Sequence, residues 1–585
     1  MNFDLDRIRE RLSTLDAVPL LALLGILAGL SSGLIIIVFR MVIELTLGFF
    51  LPDSSENFES LHPMLQGALP LTCAALLGAG FHYLPKEERR TGVGYVIERF
   101  NLNQGAISLR SLLVQFFGAA ITLIGGLSMG REGPAVHLGA AGGSLLGQWA
   151  RLPNNSVRIL TGCGCAAAIS ASFNTPIAGV IFAMEVIMME YSISTFIPII
   201  LASVVGASLT RAVYGHEPAF TIPEVQLGSL MELPFVVLCG ILIGCLAAAL
   251  IYLSTYFYGR THRLGIGWRF FLAGMVTAAA GFVAPEILGI GYDTVDAAMI
   301  GSLTVSSLLI ITTLKLVATS ACFGSGLPGG VIGPALFMGA LAGALFGKLG
   351  GALLPDDSNI TLYVLLGMAG MMAATLEAPL AALMTLLELT FEANIIFPGM
   401  LVVVISSLIT TQVFRQRGIF HAFLEVQNID LNTSPLARHL HRVGVAAVMD
   451  RNIRRVNQTV NLAEADDILK KQPNWLLIEK DGLPTHFMPA AELALHITSL
   501  NQTTKAEDQP GDKPSAEEIT INLLEIPAKR DNVTPILLSA TLHEALDAMK
   551  KADVNAVYVR RMSAPNIYRV FGVIRKQDIE HFYQI

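Results

Sequence analysis

Charge is what this chain has least of: Asp, Glu, Lys and Arg together make up 15% of its 585 residues, where a soluble domain carries about 25%. With 53% hydrophobic residues and a mean hydropathy of +0.58, that shortage excludes an ordinary soluble globule and places most of the chain in lipid. The net charge of −7 singles out no partner and gives no sign of a nucleic acid. Cysteine is also scarce. Cys73, Cys163, Cys165, Cys239, Cys245 and Cys322 all lie in apolar segments, which excludes a disulfide framework. Cys163-x-Cys165 has no second Cys/His pair to complete a zinc set, so both are read as small buried side chains and no metal is expected. No cleavable leader is expected, because the first apolar run, about Val18 to Val42, is too long for one. The membrane segments contain neither an HExxH helix nor a suitable Ser/His or Asp/Asp pair, so no enzyme is expected.

What is present is a long series of apolar segments between Val18 and Phe414, several of them shorter than the ~20 residues needed to cross a bilayer. Helices that stop inside the membrane are tolerated only where protein or a water-filled cavity covers their ends, which points to a pore or transporter. Residues 1–17, with Asp4, Asp6, Arg7, Arg9 and Glu10, are expected to form a cytoplasmic amphipathic helix. Basic residues near the membrane, Arg7, Arg9 and Arg11 and later Arg415 and Arg417, place both termini inside. Past about Arg415 the composition becomes that of a soluble α/β region. Two modules of like order, 436–500 and 526–585, flank a flexible polar linker at 503–518, and the pair resembles a CBS-domain pair.

The centre of the membrane part is Gly130-Arg131-Glu132-Gly133-Pro134. A carboxylate and a guanidinium at that depth are expensive and need a partner or a water-lined path. Gly and Pro mark a helix beginning there, and a helix that begins inside the bilayer directs unpaired N–H groups and partial positive charge at whatever lies before it. Such an end suits an anion. The stretch also recurs. Gly133 to Gly147 matches Gly333 to Gly347, Gly92 to Tyr95 matches Gly289 to Tyr292, and Ala171 to Glu185 matches Ala374 to Glu388. Residues 18–215 and 216–414 are therefore two copies of one unit, and paired broken helices in two copies point to a transport site between them.

Gly130 to Pro134, Asn174 to Gly179 and Gly324 to Pro334, in this order, are similar to the signature stretches of the CLC family of chloride channels and chloride/proton exchangers. The likeness covers roughly Val18 to Phe414, and a CBS pair after it is also a habit of that family. It implies an all-α polytopic membrane domain of inverted repeats with broken and re-entrant helices, followed by a cytoplasmic α/β CBS-domain pair. It further implies a homodimer with one pore per subunit, a gate at Glu132, and anion donors from Arg131 to Gly133 and near Val331 and Ile332. Val93 and Gly94 take the place of the stretch that usually brings a Ser hydroxyl, and Ala393 the place of the usual Tyr, so both hydroxyls are missing. Val186 stands where exchangers commonly have an inner Glu. Glu185 and Glu388 are expected to hold helices together, His137 to pack, and Lys315 to snorkel or pair.

From these residues the expected function is CLC-type chloride transport in the plasma membrane, gated by Glu132, as a passive channel or a weakly proton-coupled path. The alternative is a coupled chloride/proton antiporter; a fluoride carrier and a CBS-regulated cation channel come after it. Chloride, possible further small anions, protons and lipid are the expected partners. An adenine nucleotide at the CBS pair, with Asp578 at the ribose, is the one cofactor considered, although Arg575 replaces the usual Ser/Thr.

Overall fold

The computed structural model describes residue 12 and residues 18–51, 57–215, 232–353, 359–429, 431, 440–480, 482–506, 520–564 and 567–584. The chain divides into two compact units, 18–151 with 157–432, and 1–17 with 152–156 and 433–585. Apart from Leu12, the expected N-terminal helix lies outside the described residues, as does the linker from residue 507; residues 503–506 end a helix.

In the larger unit the first repeat comprises α1 (Val18–Leu47), α2 (Pro63–Tyr83), α3 (Gly92–Leu102), α4 (Leu109–Ile124), α5 (Glu132–Trp149), α6 (Asn154–Phe173), α7 (Pro176–Phe182) and α8 (Ile193–Tyr214). The second answers it element for element with α9 (Leu233–Thr261), α10 (Ile266–Val283), α11 (Tyr292–Met299), α12 (Val305–Ser325), α13 (Ile332–Leu353), α14 (Ile360–Leu376), α15 (Pro379–Thr390) and α16 (Ile396–Leu408). A short helix, α17 (Ile419–Val426), closes the unit. Among the described residues, nine helices are long and apolar enough to span a membrane. The breaks have local causes that repeat: Pro176 and Pro379 open α7 and α15, and the chain enters them through left-handed residues, Asn174 at φ +61° and Glu377 at φ +60°.

Close packing within each repeat depends on glycine. A Cβ on Gly164 would stand 2.0 Å from the Gly139 carbonyl oxygen, and one on Gly367 2.1 Å from that of Gly339, so α5 and α6, like α13 and α14, touch backbone to backbone. In lipid, where apolar burial between helices supplies little drive, such contact is a main source of association. Between repeats, α2 packs on α10 and α7 on α15. At the centre Gly130 N–H donates to the Gly330 carbonyl at 2.7 Å, and Gly330 N–H to that of Gly130 at 2.8 Å. Equivalent residues that pair antiparallel with one another require a local two-fold relation between the copies.

The smaller unit is α/β. Its first module holds β1 (Ile453–Asn457), β2 (Thr459–Asn461), α18 (Leu462–Lys470), β3 (Trp475–Lys480), β4 (Leu483–Pro489) and α19 (Ala490–Ala506). After β5 (Thr520–Asn522), the second holds β6 (Asp531–Leu537), α20 (Leu542–Ala552), β7 (Ala556–Ala564), β8 (Ile567–Arg575) and α21 (Lys576–Gln584). One six-stranded sheet runs β1-β3-β4-β6-β7-β8, with a parallel pair and then an antiparallel pair in each half. Capping boxes, Asn461 with Glu464 and Thr541 with Glu544, start α18 and α20. The segment Val443–Met449 lies within the 436–500 stretch read as the first module but serves the other core. Val443, Val445 and Met449 pack in the core of the second with Leu542, Val557 and Ile574. Ile521, Leu523 and Ile526, which precede β6, pack in the core of the first with Leu476, Met488 and Leu493. Short apolar segments of this kind carry no local mark of which core they complete.

Candidate functional site

Glu132 is the first residue of α5 and is 0% exposed. The Gly130–Gly330 bridge sets α5 and α13 start to start, so the carboxylate of one repeat reaches the N-terminal turn of the other. Its Oε2 accepts from the Gly333 N–H at 3.1 Å, and its Oε1 from the Tyr292 hydroxyl at 2.5 Å. An anionic oxygen thus lies against the positive end of α13, where backbone donors have no intrahelical partner. Arg131 stands alongside, with Nε 4.0 Å from Glu132 Oε1, Nη1 3.7 Å from Glu44 and its guanidinium carbon 5.6 Å from the Tyr292 ring centre. Glu44 pairs in turn with Arg40 at 3.0 Å. Beside these groups is a cavity of about 20 Å³, lined by Arg40, Glu44 and Arg131 among apolar residues, enough for one water-sized occupant.

Gly133, Val331 and Ile332 share this buried centre, the last two 0% and 1% exposed. A Cβ on Gly133 would come 2.6 Å from Gly330 Cα, which explains the glycine. Val93, buried, and Gly94, half-buried, lie in the first turn of α3 and bring no hydroxyl. The loop before α3 is tied down by α4 and α5: Gly92 N–H donates to Gln115 Oε1 at 2.7 Å and to His137 Nδ1 at 3.1 Å. With Nδ1 accepting, the His137 proton is on Nε2, which donates to Ser111 Oγ at 3.0 Å, and the ring stacks on Tyr95.

Ala393 requires correction. It is exposed, in the short turn Ala393–Ile395 that links α15 to α16, away from the buried centre. The segment that packs on α3 is α17, with Leu424 beside Gly94, and the Phe420 and Phe423 rings of α17 meet Phe323 near the end of α12. At eight residues α17 is too short to register as a membrane segment, so the sequence reading, which ends the apolar series near Phe414, leaves it out. Phe420 brings no hydroxyl either. Lys315 takes the second of its two expected forms, pairing rather than snorkelling. It is 0% exposed and does not snorkel; Nζ donates to the carbonyls of Ile287, Gly289 and Ile290 at 3.0, 2.8 and 3.3 Å and lies 4.5 Å from the Phe337 ring centre. Tyr292 was missed altogether, although its match with Tyr95 in the repeat was visible.

Glu388 accepts from the N–H groups of Ile177 and Ala178, and Glu185 from those of Leu380 and Ala381, so each carboxylate caps the broken helix of the opposite repeat. Val186, 3% exposed, follows Glu185 in a π-turn over Ala183–Met188. Among the described residues no group of His, Cys, Asp and Glu could hold a metal.

In the smaller unit a groove of about 650 Å³ lies over Asp450, Trp475, Arg575 and Asp578. Burial opposes ionisation of Asp450, but hydrogen bonds from Asn474, the Asn452 N–H and Trp475 outweigh it and hold the carboxyl below its ordinary range. Asp578 is engaged by its own chain. Oδ1 accepts from Arg575 Nη2 at 2.5 Å and Oδ2 from the Arg575 N–H at 2.8 Å, while the guanidinium stands 4.6 Å from the Trp475 ring centre. A ribose at Asp578 would have to displace this pair, so the residues present do not fit an adenine nucleotide.

The family model described as voltage gated chloride channel matches residues 73–411. A protein of Ralstonia nicotianae, provisionally named a ClcB-like chloride channel protein, is 31% identical over 341 residues, 57% of this chain and 79% of the relative. The H(+)/Cl(-) exchange transporter ClcA of Vibrio cholerae is 27% identical over 430 residues, 70% of this chain and 90% of the relative. The crystal structure of a slow cyanobacterial Cl-/H+ antiporter superposes with a TM-score of 0.62 at 21% identity, covering 70% of this chain and 97% of the other.

Proposed function

The chain belongs to the voltage-gated chloride channel family, a family of anion transporters and channels, and from that premise we propose that it exchanges chloride for protons, with Glu132 as the gate. The observation that carries this reading is the buried Glu132 carboxylate on the Gly333 N–H. An ionised carboxylate held there occupies the place a chloride ion would take at the start of α13, so the two compete. Protonation removes the charge that the helix end favours and releases the side chain, which ties anion entry to proton arrival. Around it, first-turn N–H groups of α3, α5 and α13, including those of Val93, Gly94, Val331 and Ile332, supply weak donors suited to an ion that must leave as readily as it enters.

The passive or weakly coupled path expected from Val186 is the second reading, favoured by that one buried apolar side chain. The naming of the Vibrio relative as an exchange transporter supports the first, with the inner proton step carried by a group other than residue 186. Chloride efflux from liposomes, with external chloride and pH recorded together, tests the choice. Proton uptake in fixed proportion to chloride, lost in Glu132→Ala while chloride still flows, is the expected result. Efflux balanced wholly by a potassium ionophore, with no proton movement, would establish the passive path.

The reading includes a homodimer in the plasma membrane with both termini cytoplasmic. Glu185 and Glu388 support the dimer: their bonds to Leu380 and Ile177 lie at the surface of the protomer, where Ile177 is 52% and Leu380 46% exposed. Carboxylates so near lipid are costly, and a second copy would cover them.

A further inference from the structure

The two repeats differ at the gate position itself. Position 132 of the first is Glu, and its equivalent in the second, 332, is Ile. The tyrosines that match between the repeats differ correspondingly. Tyr95 stacks on His137 at 5.0 Å and has the Arg99 guanidinium 5.1 Å from its ring centre, whereas the Tyr292 hydroxyl donates to the Glu132 carboxylate. Several contacts deliver Tyr292 to that place. The chain enters α11 through Gly289 at φ +60° and Gly291 at φ +82°. Lys315 holds the carbonyls of Ile287, Gly289 and Ile290, and Phe337 closes on Gly291, where a Cβ would come within 2.6 Å of the ring. Tyr292 itself is 6% exposed.

We propose that Tyr292 is a positioning residue of the gate, a hydroxyl from the second repeat that holds the ionised Glu132 carboxylate in the closed position and so sets the proton concentration at which the gate opens. The proposal rests on the reading of Glu132 as the gate. Each carboxylate oxygen has its own donor, Tyr292 on Oε1 and Gly333 N–H on Oε2. Protonation must therefore compete with two hydrogen bonds to the anion, one of which depends on a single replaceable atom. Among the described residues, the other charged or titratable groups around it are Arg131 just before α5, Arg40 and Glu44 on α1, Asp293 beside Tyr292 on α11, and Lys315 on α12, the last directed at backbone carbonyls. All of them remain in Tyr292→Phe.

The test is chloride flux from liposomes as a function of pH for wild type, Tyr292→Phe, Glu132→Ala and the double variant. Removing a donor from a carboxylate makes protonation easier, so Tyr292→Phe is expected to move the midpoint of the pH profile upward by about one unit and to raise the flux at neutral pH. Glu132→Ala is expected to give a flat profile, and Tyr292→Phe to add nothing to it. Site-specific 3-fluorotyrosine at position 292 keeps the size nearly unchanged and donates more strongly, so the midpoint is expected to move downward. This second substitution decides the matter if Tyr292→Phe does not yield monodisperse protein. A flat Glu132→Ala profile with unmoved midpoints in both position-292 proteins would overturn the role of Tyr292 and leave the gate standing. A wild-type profile in Glu132→Ala would overturn the gate, and the role of Tyr292 with it.

Discussion

Lys315 brings a cation into the interior and directs it at three carbonyl oxygens. Lys315→Met leaves those oxygens short of a donor, so the variant in detergent is expected to be less stable by about 1–3 kcal/mol. Because the same loop leads to Tyr292, its transport midpoint should also move upward; an unchanged melting temperature would contradict the assignment. Outside the spans, Glu59 has its carboxyl pushed up to about 7, first by burial and then by Asp293 and Glu286. An acid raised in this way is held protonated by the folded state. Its contribution is therefore fullest below about 4.5, the ordinary value, and is lost as pH rises through about 7. Only part of the Glu59 side chain is withdrawn from water, so the slope will be shallow; comparing melting temperatures at pH 5 and 8 (~3 units apart) should show a smaller difference in Glu59→Gln. At this scale the sequence was informative where chemistry is local. Glu132 and Gly133 stood out because a Gly-Pro helix opening marks them, whereas Val331 and Ile332 entered only through the family resemblance. The contact of Tyr292 with Glu132 was not, because no short-range pattern connects residues 160 positions apart.

The helices show the duplication most clearly in their ends. α7 and α15 each begin with Pro, lack a side-chain cap of their own, and take a carboxylate from the other repeat. Glu388→Ala should therefore cost about 1–2 kcal/mol, as loss of an ordinary N-cap does, with Glu388→Gln recovering part of it; the thermal unfolding of both variants in detergent would check this. The order of these elements was legible from Gly and Pro spacing, including which helices are too short to span. The role of α17 was not, because its eight residues resemble the start of a soluble region and only tertiary contact shows them against α3.

For the molecule as a whole, the division into a helical membrane region and an α/β region follows from composition alone, since charge returns after about Arg415. The crossing of Val443–Met449 and Ile521–Ile526 into opposite cores did not follow, because apolar segments of that length fit either. The Arg575–Asp578 pair leads to a prediction for the complete protein. Added ADP or ATP should leave its melting temperature unmoved, whereas Arg575→Thr, which frees Asp578, should acquire a nucleotide-dependent rise. The Gly130–Gly330 bridge, finally, has a consequence for descent. Two identical half-length chains could form it, but each would then carry the same residue at the gate position, and two carboxylates would face one another across the axis. An arrangement with Glu132 on one side and Ile332 on the other needs two halves of different sequence, which copies of one half-length chain cannot supply.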